Sequence, residues 1–199
     1  MPCSIARSVN HASKAELQTM ITLPLENSFS LSNVQLSDAD ACVEHLNNPL
    51  IHQTTENIPY PYTKQQALQW IQRYLDITDR CRKFHLLTIR DSQAQMVGAI
   101  GIGEMDERNP HVAELGYWLA VSYWGQGVMT EAVRVFIHYA FAELELYRLW
   151  TRVFEFNLGS RRVLEKNGFK LEGIQRQHVY CDGKLIDDYL YGLLKSELR

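Results

Sequence analysis

Between Trp124 and Ala132 the chain reads Trp-Gly-Gln-Gly-Val-Met-Thr-Glu-Ala. Gly125 and Gly127 carry no Cβ, so the backbone there can take unusual dihedrals and approach a ligand closely. A helix that starts at such a turn offers unpaired N–H donors and a partial positive charge. That combination suits a pyrophosphate, and the Thr130 hydroxyl adds a further donor. Two other readings compete, and a third fails. The turn could join a strand to a helix and bind nothing. A dinucleotide fingerprint would need glycine where Thr130 stands and a parallel βαβ unit around it. A P-loop requires a G-x-x-x-x-G-K-[ST] run that the chain lacks. No G-x-S-x-G elbow occurs, and no cysteine has an obvious histidine partner, so nothing advertises a covalent enzyme nucleophile.

The elements that must position this turn follow from the period of the apolar residues. Residues 28–36 partly alternate and predict a first strand. Ser37-Asp38-Ala39-Asp40 supplies a helix start, the apolar spacing continues to Leu46, and Asn48-Pro49 is read as its stop. After the proline-aromatic loop 58–62, Thr63 with Gln66 three residues on predicts a cap. The helix it opens runs to about Arg80, with Ala67, Trp70, Ile71, Tyr74, Leu75 and Ile77 on one face. The period then falls to two. Strands are predicted over 84–90, 96–104 and 112–121, joined by short turns that imply an antiparallel meander. A helix follows over 129–144, then a strand at 148–155, a helix at 159–167, and strands at 169–180 and 185–195 about the Cys181-Asp182-Gly183-Lys184 turn. Neither an internal repeat nor a linker interrupts the chain after residue 20.

Composition narrows the class. The chain has 199 residues, a formal net charge of −3 and 46% hydrophobic residues. That is enough for one well-buried domain, and gives no reason to expect nucleic-acid or membrane-surface binding. No apolar run approaches the length of a membrane span. Four scattered cysteines without a C-x-x-C pair fit a reducing cytoplasm, and seven histidines without ligand spacing argue against a metal site. Residues 1–19 lack periodicity and read as a loose extension ahead of a domain spanning 20–199.

Taken together, certain segments resemble one family. They are Gly116-Tyr117-Trp118-Leu119, the turn from Tyr123 to Ala132, Asn157-Leu158-Gly159-Ser160, Asn167-Gly168-Phe169, Glu172-Gly173, and Asp182-Gly183-Lys184 ahead of Asp188-Tyr189. In this order, from about Leu23 to Leu198, the chain resembles the GNAT superfamily of N-acetyltransferases, and within it the Rim-type ribosomal-protein N-terminal acetyltransferases. It departs from the usual turn at Trp124, where Arg or Gln is common, and at Met129, where Gly or Ala often stands. The resemblance implies an α+β domain with a mixed, mostly antiparallel sheet flanked by helices. Its fourth and fifth strands, here 112–121 and 148–155, would splay apart to admit acetyl-CoA as acetyl donor. It also implies that Leu119, Val121, Trp124, Gly125, Gln126, Gly127, Val128, Met129, Thr130 and Asn157 bind the cofactor. The acceptor implied is a primary amine, first a ribosomal or other protein N-terminus. The alternatives are a small-molecule amine or a silent acyl-CoA-binding module. A monomer or homodimer in the cytoplasm is expected.

Direct transfer needs a neutral amine, a placed thioester and a proton for the leaving thiolate. An α-amine of pKa about 8 is already partly neutral, so a modest base suffices. The resemblance makes Glu114 the leading base; Glu104, at the end of the neighbouring strand, is second, and Glu155, just before Asn157, is read as structural. It makes Ser160 the proton donor, against the plainer reading that Ser160 caps the helix. Tyr189 and Tyr191 are alternative acids, and Ile58–Tyr62 with 105–111 should line the acceptor pocket. Starting the chain at Met20 is expected to leave Tm and activity unchanged; a clear loss in either a thermal melt or a rate assay contradicts the boundary at residue 20.

Overall fold

The computed structural model describes residues 21–80 (main chain alone at 76–80), 85–103, 105, 108–181 and 183–198. The expected extension 1–19, Phe84, the second base candidate Glu104, residues 106–107 and Asp182 of the hairpin turn lie outside the described residues. The described residues form an eight-stranded sheet. Its strands are β1 (Thr22–Pro24), β2 (Ser30–Asn33), β3 (His85–Arg90), β4 (Met96–Ile102), β5 (Val112–Leu119), β6 (Arg148–Phe154), β7 (Lys170–Cys181) and β8 (Lys184–Leu194). The order across the sheet is β1-β2-β3-β4-β5-β6-β8-β7. Every neighbouring pair is antiparallel except β5 and β6. The helices are α1 (Ala39–Leu46), α2 (Pro49–Thr54), α3 (Lys64–Arg80), α4 (Val128–Glu143) and α5 (Leu158–Lys166). The domain is α+β, as expected.

Parallel strands cannot be joined by a tight turn, so β5 must reach β6 through a crossover, and α4 is that crossover. Val128, Met129, Ala132, Val133, Phe136, Ile137, Ala140 and Phe141 are buried along α4, packed with Val97, Ile100, Leu115 and Leu149 of the sheet. A second apolar cluster fills the opposite face. There Ala39, Cys42 and Leu46 of α1 and Ala67 and Ile71 of α3 pack with Met96, Ala99 and Trp118. The centre of the sheet is thus buried on both faces, and β4 has no exposed residue along its length, whereas β7 at the edge has no buried one.

Local chemistry explains where the observed elements differ from the expected ones. Asn48-Pro49 does end α1, but it also starts α2, which the periodicity missed. Proline fits the first helical position because its missing N–H would be unpaired there anyway, and the Asn48 side chain accepts from the Leu50 amide at 3.0 Å. The short β1 lies beside β2 and was too brief to show a period. The strand expected over 112–121 stops at Leu119, and Val121–Tyr123 forms a 3₁₀ turn. The cap at Thr63 is present: Gln66 Oε1 accepts from the Thr63 amide at 2.8 Å.

One polar anchor crosses this core. Arg90, at the end of β3, and Asp38, just ahead of α1, are both buried and paired in a fork, with Nη1–Oδ1 at 2.8 Å and Nη2–Oδ2 at 3.0 Å. The guanidinium also donates to Ser32 Oγ at 2.6 Å and to the carbonyls of Asn33 and Ala94. Asp38 in turn accepts from the Gln35 amide at 2.8 Å. Removing one partner of such a pair strands the other charge without solvent. Asp38→Ala should therefore cost about 3–5 kcal/mol in urea denaturation; a loss below about 1 kcal/mol, the scale of a surface pair, would show that the pair is not an anchor.

Candidate active site

The parallel pair β5–β6 is registered at Val112↔Arg148, Ala113↔Leu149 and Glu114↔Trp150, and no further. Beyond those pairs both strands continue, β5 to Leu119 and β6 to Phe154. Each stays held by its outer neighbour, β5 by β4 and β6 by β8. The inner edges separate, and a cleft of about 1060 Å³ opens between them, large enough for a sizeable ligand. The splay expected between the fourth and fifth strands therefore lies between β5 and β6, one strand later because β1 precedes them.

The glycine turn lies at the carboxyl end of β5, at the mouth of this cleft. Gly125 (φ 74°) and Gly127 (φ 82°) both occupy the left-handed region, which a residue with a Cβ enters only with strain. Open space lies where a Cβ would project at either position. Gly127 is the N-cap of α4, and the intrahelical ladder starts with the Glu131 amide donating to the Gly127 carbonyl at 3.1 Å. The amides of Val128, Met129 and Thr130 precede that first bond and have no intrahelical acceptor. Trp124 holds the turn to the strand: its indole N–H donates to the Leu119 carbonyl at 2.7 Å. An indole at the position where Arg or Gln is common thus has a structural task.

Of the predicted cofactor residues, Leu119, Trp124, Gly125, Gly127, Val128, Met129, Thr130 and Asn157 line the cleft, and so do Glu114 and Ser160. Two do not. Val121 packs in the 3₁₀ turn against the cluster around α1 and α3, and the Gln126 side chain turns back to donate to the Ser122 carbonyl at 2.7 Å. Ile58 and Tyr62 line the cleft, whereas no described residue of 105–111 does.

Strand alternation sorts the polar groups onto the two faces of the slot. On the face of α4 and α5, the Tyr117 hydroxyl lies 2.8 Å from Ser160 Oγ. Burial holds the Tyr117 phenol well above its ordinary range, with the Ser160 hydrogen bond opposing, so it stays protonated and able to donate. Ser160 is not the cap of α5. That position is Asn157, whose Oδ1 accepts from the Ser160 amide at 3.1 Å. The Ser160 hydroxyl is thereby left for Tyr117 and the cleft.

On the opposite face Glu114 is half-buried, with Arg152 Nε 3.5 Å from its Oε1. Burial raises the Glu114 carboxyl above its ordinary value; Arg152 works against this, and Glu56 and Asp188 reinforce it. Sequence reasoning did not single out Tyr117, Arg152 or Asp188 for a role. Tyr117 and Asp188 did stand inside the segments that carry the resemblance, but only folding shows what each touches. The cleft wall also carries Arg162 and Lys166, one turn apart on α5.

The remaining candidates fall away from the cleft. Glu155 is exposed and outside the lining. Tyr191 donates to Glu165 Oε1 at 2.8 Å, and Tyr189 lies under the Arg161 guanidinium, so both dock α5 on β8. Cys42 is buried in the second cluster, where burial pushes its thiol up to about 12. It is no thiolate nucleophile, in keeping with direct transfer.

Comparison with known proteins agrees with this geometry. The family model for the acetyltransferase (GNAT) domain matches residues 29–170. A relative from Bacillus subtilis (strain 168), "Probable N-acetyltransferase YjcK", is 34% identical over 136 residues, which is 68% of this chain and 75% of that protein. The ribosomal-protein-serine acetyltransferase of Escherichia coli (strain K12) is 33% identical over 97 residues, 49% of this chain and 54% of that one. Among solved structures, RimL, a ribosomal L7/L12 α-N-protein acetyltransferase in complex with coenzyme A, superposes with a TM-score of 0.80 at 20% identity. That superposition covers 87% of this chain and 98% of RimL. With its sheet split at the one parallel pair, a glycine turn at the mouth of the split and the family model matched over most of its length, the chain belongs to the GNAT acetyltransferase family, as an acyltransferase that uses acetyl-CoA.

Proposed function

We propose that this protein moves an acetyl group from acetyl-CoA directly to the free α-amine of a peptide or protein N-terminus. The observation that carries the reading is the division of the slot. A hydroxyl pair, Tyr117–Ser160, faces it from one side of the sheet, and a half-buried carboxylate, Glu114, faces it from the other. Pyrophosphate on the free amides of α4 and the adjacent glycines would lay the pantetheine arm between β5 and β6. The thioester then lies between an amine entering on the Glu114 face and hydroxyls on the Ser160 face. Glu114 takes a proton from the ammonium, the neutral amine attacks the thioester carbon, and the C–S bond breaks. Ser160 gives its proton to the departing thiolate and is reprotonated by the second proton that the nitrogen sheds as the amide forms, while Tyr117 stays protonated and holds the Ser160 hydroxyl in place. A half-buried carboxyl with raised proton affinity suits the base, because its basicity lies nearer that of the amine. The cleft of about 1060 Å³ has room for a chain end, and relatives such as the ribosomal-protein-serine acetyltransferase of Escherichia coli favour a protein acceptor over a small amine.

The function is tested by incubating the protein with acetyl-CoA and a panel of amines: short peptides with free N-termini, N-blocked peptides with lysine, and small polyamines. Acetylation confined to free N-termini is expected. Preference for lysine side chains or polyamines would overturn the acceptor assignment. Gly127→Val, forced into a left-handed turn and projecting toward the ligand, should weaken acetyl-CoA binding at least tenfold, about 1.4 kcal/mol, by calorimetry on the folded variant; unchanged affinity would remove the pyrophosphate assignment.

Ser160→Ala should lower kcat and leave acetyl-CoA affinity and Tm in place, since Asn157 is the cap. Asn157→Ala should instead lose about 1 kcal/mol of stability. Equal losses of stability in both would deny Ser160 a chemical role. Glu114→Gln should slow the reaction most at low pH, where little of the amine is neutral, and least at high pH. Its effect on stability has the opposite character. A carboxyl whose folded-state pKa is raised contributes stability at low pH that is lost as pH rises through that pKa. Ionised Glu114 is then a liability, so Glu114→Gln should hold or raise Tm near neutral pH while kcat falls. A fall in both would mark Glu114 as structural.

A further inference from the structure

Asp188, on β8 opposite Phe154, lines the same face of the cleft as Glu114 and is only 1% exposed. Its two oxygens are unequally served. Oδ2 lies 3.3 Å from His178 Nδ1 and 3.8 Å from Arg152 Nη1. Oδ1 is buried and has no hydrogen-bond partner. A carboxylate oxygen withdrawn from water without a donor is costly, and where proteins keep one it commonly awaits a ligand or a bound water. The strand geometry maintains this arrangement. Between Gln175↔Asp188 and Val179↔Ile186 the β7–β8 register shifts, and the extra β7 residues bring His178 over Asp188, while the Gln177 amide donates to Asp187 Oδ1 at 2.8 Å.

The charges around Asp188 do not balance. Arg152 is shared among Glu114 and Glu56, each at 3.5 Å, and Asp188, and its own Nε is buried without a hydrogen bond. Three carboxylates thus face one guanidinium and one imidazole, with Arg73 the other cation in this part of the lining. A second cation bearing N–H donors would satisfy the free Oδ1 and offset the excess. The primary ammonium is the group that meets both needs, and the proposed acceptor carries one.

We propose that Asp188 anchors the acceptor as a cation: the α-ammonium docks on Asp188 Oδ1, beside Glu114, before it is deprotonated. This rests on the reading of the protein as a peptide N-terminal acetyltransferase. Asp188 is then a specificity-determining residue that admits primary ammonium groups, and Glu114 receives the proton once the amine is seated. The bound proton count is unchanged on docking; one N–H proton passes to the Glu114 carboxylate when the nitrogen lone pair turns to the thioester carbon.

The test separates binding from turnover. The peptide of the panel that is turned over fastest is titrated calorimetrically into the protein saturated with CoA, which holds the cofactor site without allowing chemistry. If the cation binds, Kd should weaken about tenfold or more between about pH 7.5 and about pH 9.5, as an α-amine of pKa about 8 loses its proton. Asp188→Asn, close in size, should bind the peptide at least tenfold more weakly at the lower pH. It should lose the pH slope and keep its affinity for CoA. His178→Gln, which alters the neighbour of Oδ2 alone, should keep the slope. A wild-type Kd that tightens or stays flat as pH rises overturns the proposal even if Asp188→Asn fails to fold. So does an Asp188→Asn variant that binds peptide normally, in which case a water serves Oδ1. Absence of turnover with every N-terminal peptide removes the functional reading and this inference with it, whereas turnover with a flat or tightening Kd removes this inference alone.

Discussion

The hydrogen bonds that β5 and β6 do not make are what the rest of the site depends on. A sheet normally pairs every inner edge, because an unpaired backbone group away from water is costly. Here the two strands part after Glu114↔Trp150 and leave their facing edges open along the cleft. They can part without unravelling because each keeps its outer partner, β4 for β5 and β8 for β6. The parallel direction of the pair matters as well. It forces a crossover, and the crossover helix must begin at the carboxyl end of β5, so its free amides arrive at the mouth of the split. Under the proposed function, a cofactor carrying a pyrophosphate and a chain of amides would find donors for the first at the turn and strand edges for the second.

A slot through a sheet also has two faces, and alternation along the strands distributes side chains between them. Tyr117 and its neighbour Glu114 are an odd number of residues apart on β5, so they point to opposite sides. One side is closed by α4 and α5, which supply Ser160; the other is closed by the elements from α1 to α3, which supply Glu56, Ile58 and Tyr62. Burial on both sides drives the proton affinities of Tyr117 and Glu114 upward, away from the charged forms. A phenol that stays protonated and a carboxylate with raised proton affinity are the pair that the proposed transfer calls for.

Several residues that carry the family resemblance prove to be architecture. Asn157 caps α5. Asn167 donates to the carbonyls of Thr130 on α4 and Val163 on α5, fastening the two helices that frame the turn. Phe169 is buried in the main core, and Glu172 pairs with Arg148 to tie β7 to β6. These contacts fix the position of Ser160 and the glycine turn relative to the cleft. The buried Asp38–Arg90 fork does the same for the far face, locking the start of α1 to β3.

Much was legible in the sequence because it is written in local terms. The period of apolar residues gave the long helices and the meander, Thr63 and Gln66 gave a cap, and Gly125 and Gly127 gave a turn that only glycine tolerates twice. The order of motifs led to the family and, through it, to the split and to Glu114 and Ser160. What lay beyond local reach were contacts between residues distant in the chain. No spacing rule pairs Tyr117 with Ser160, 43 positions away, or brings Glu56, Glu114 and Asp188 around Arg152. Nor could the sequence tell which of Asn157 and Ser160 caps α5, since both side chains can, and only the helix's first turn decides between them. Periodicity reports which face of an element is apolar; which polar groups then meet across a cleft is settled by strand register and by the crossover, and those are properties of the folded chain alone.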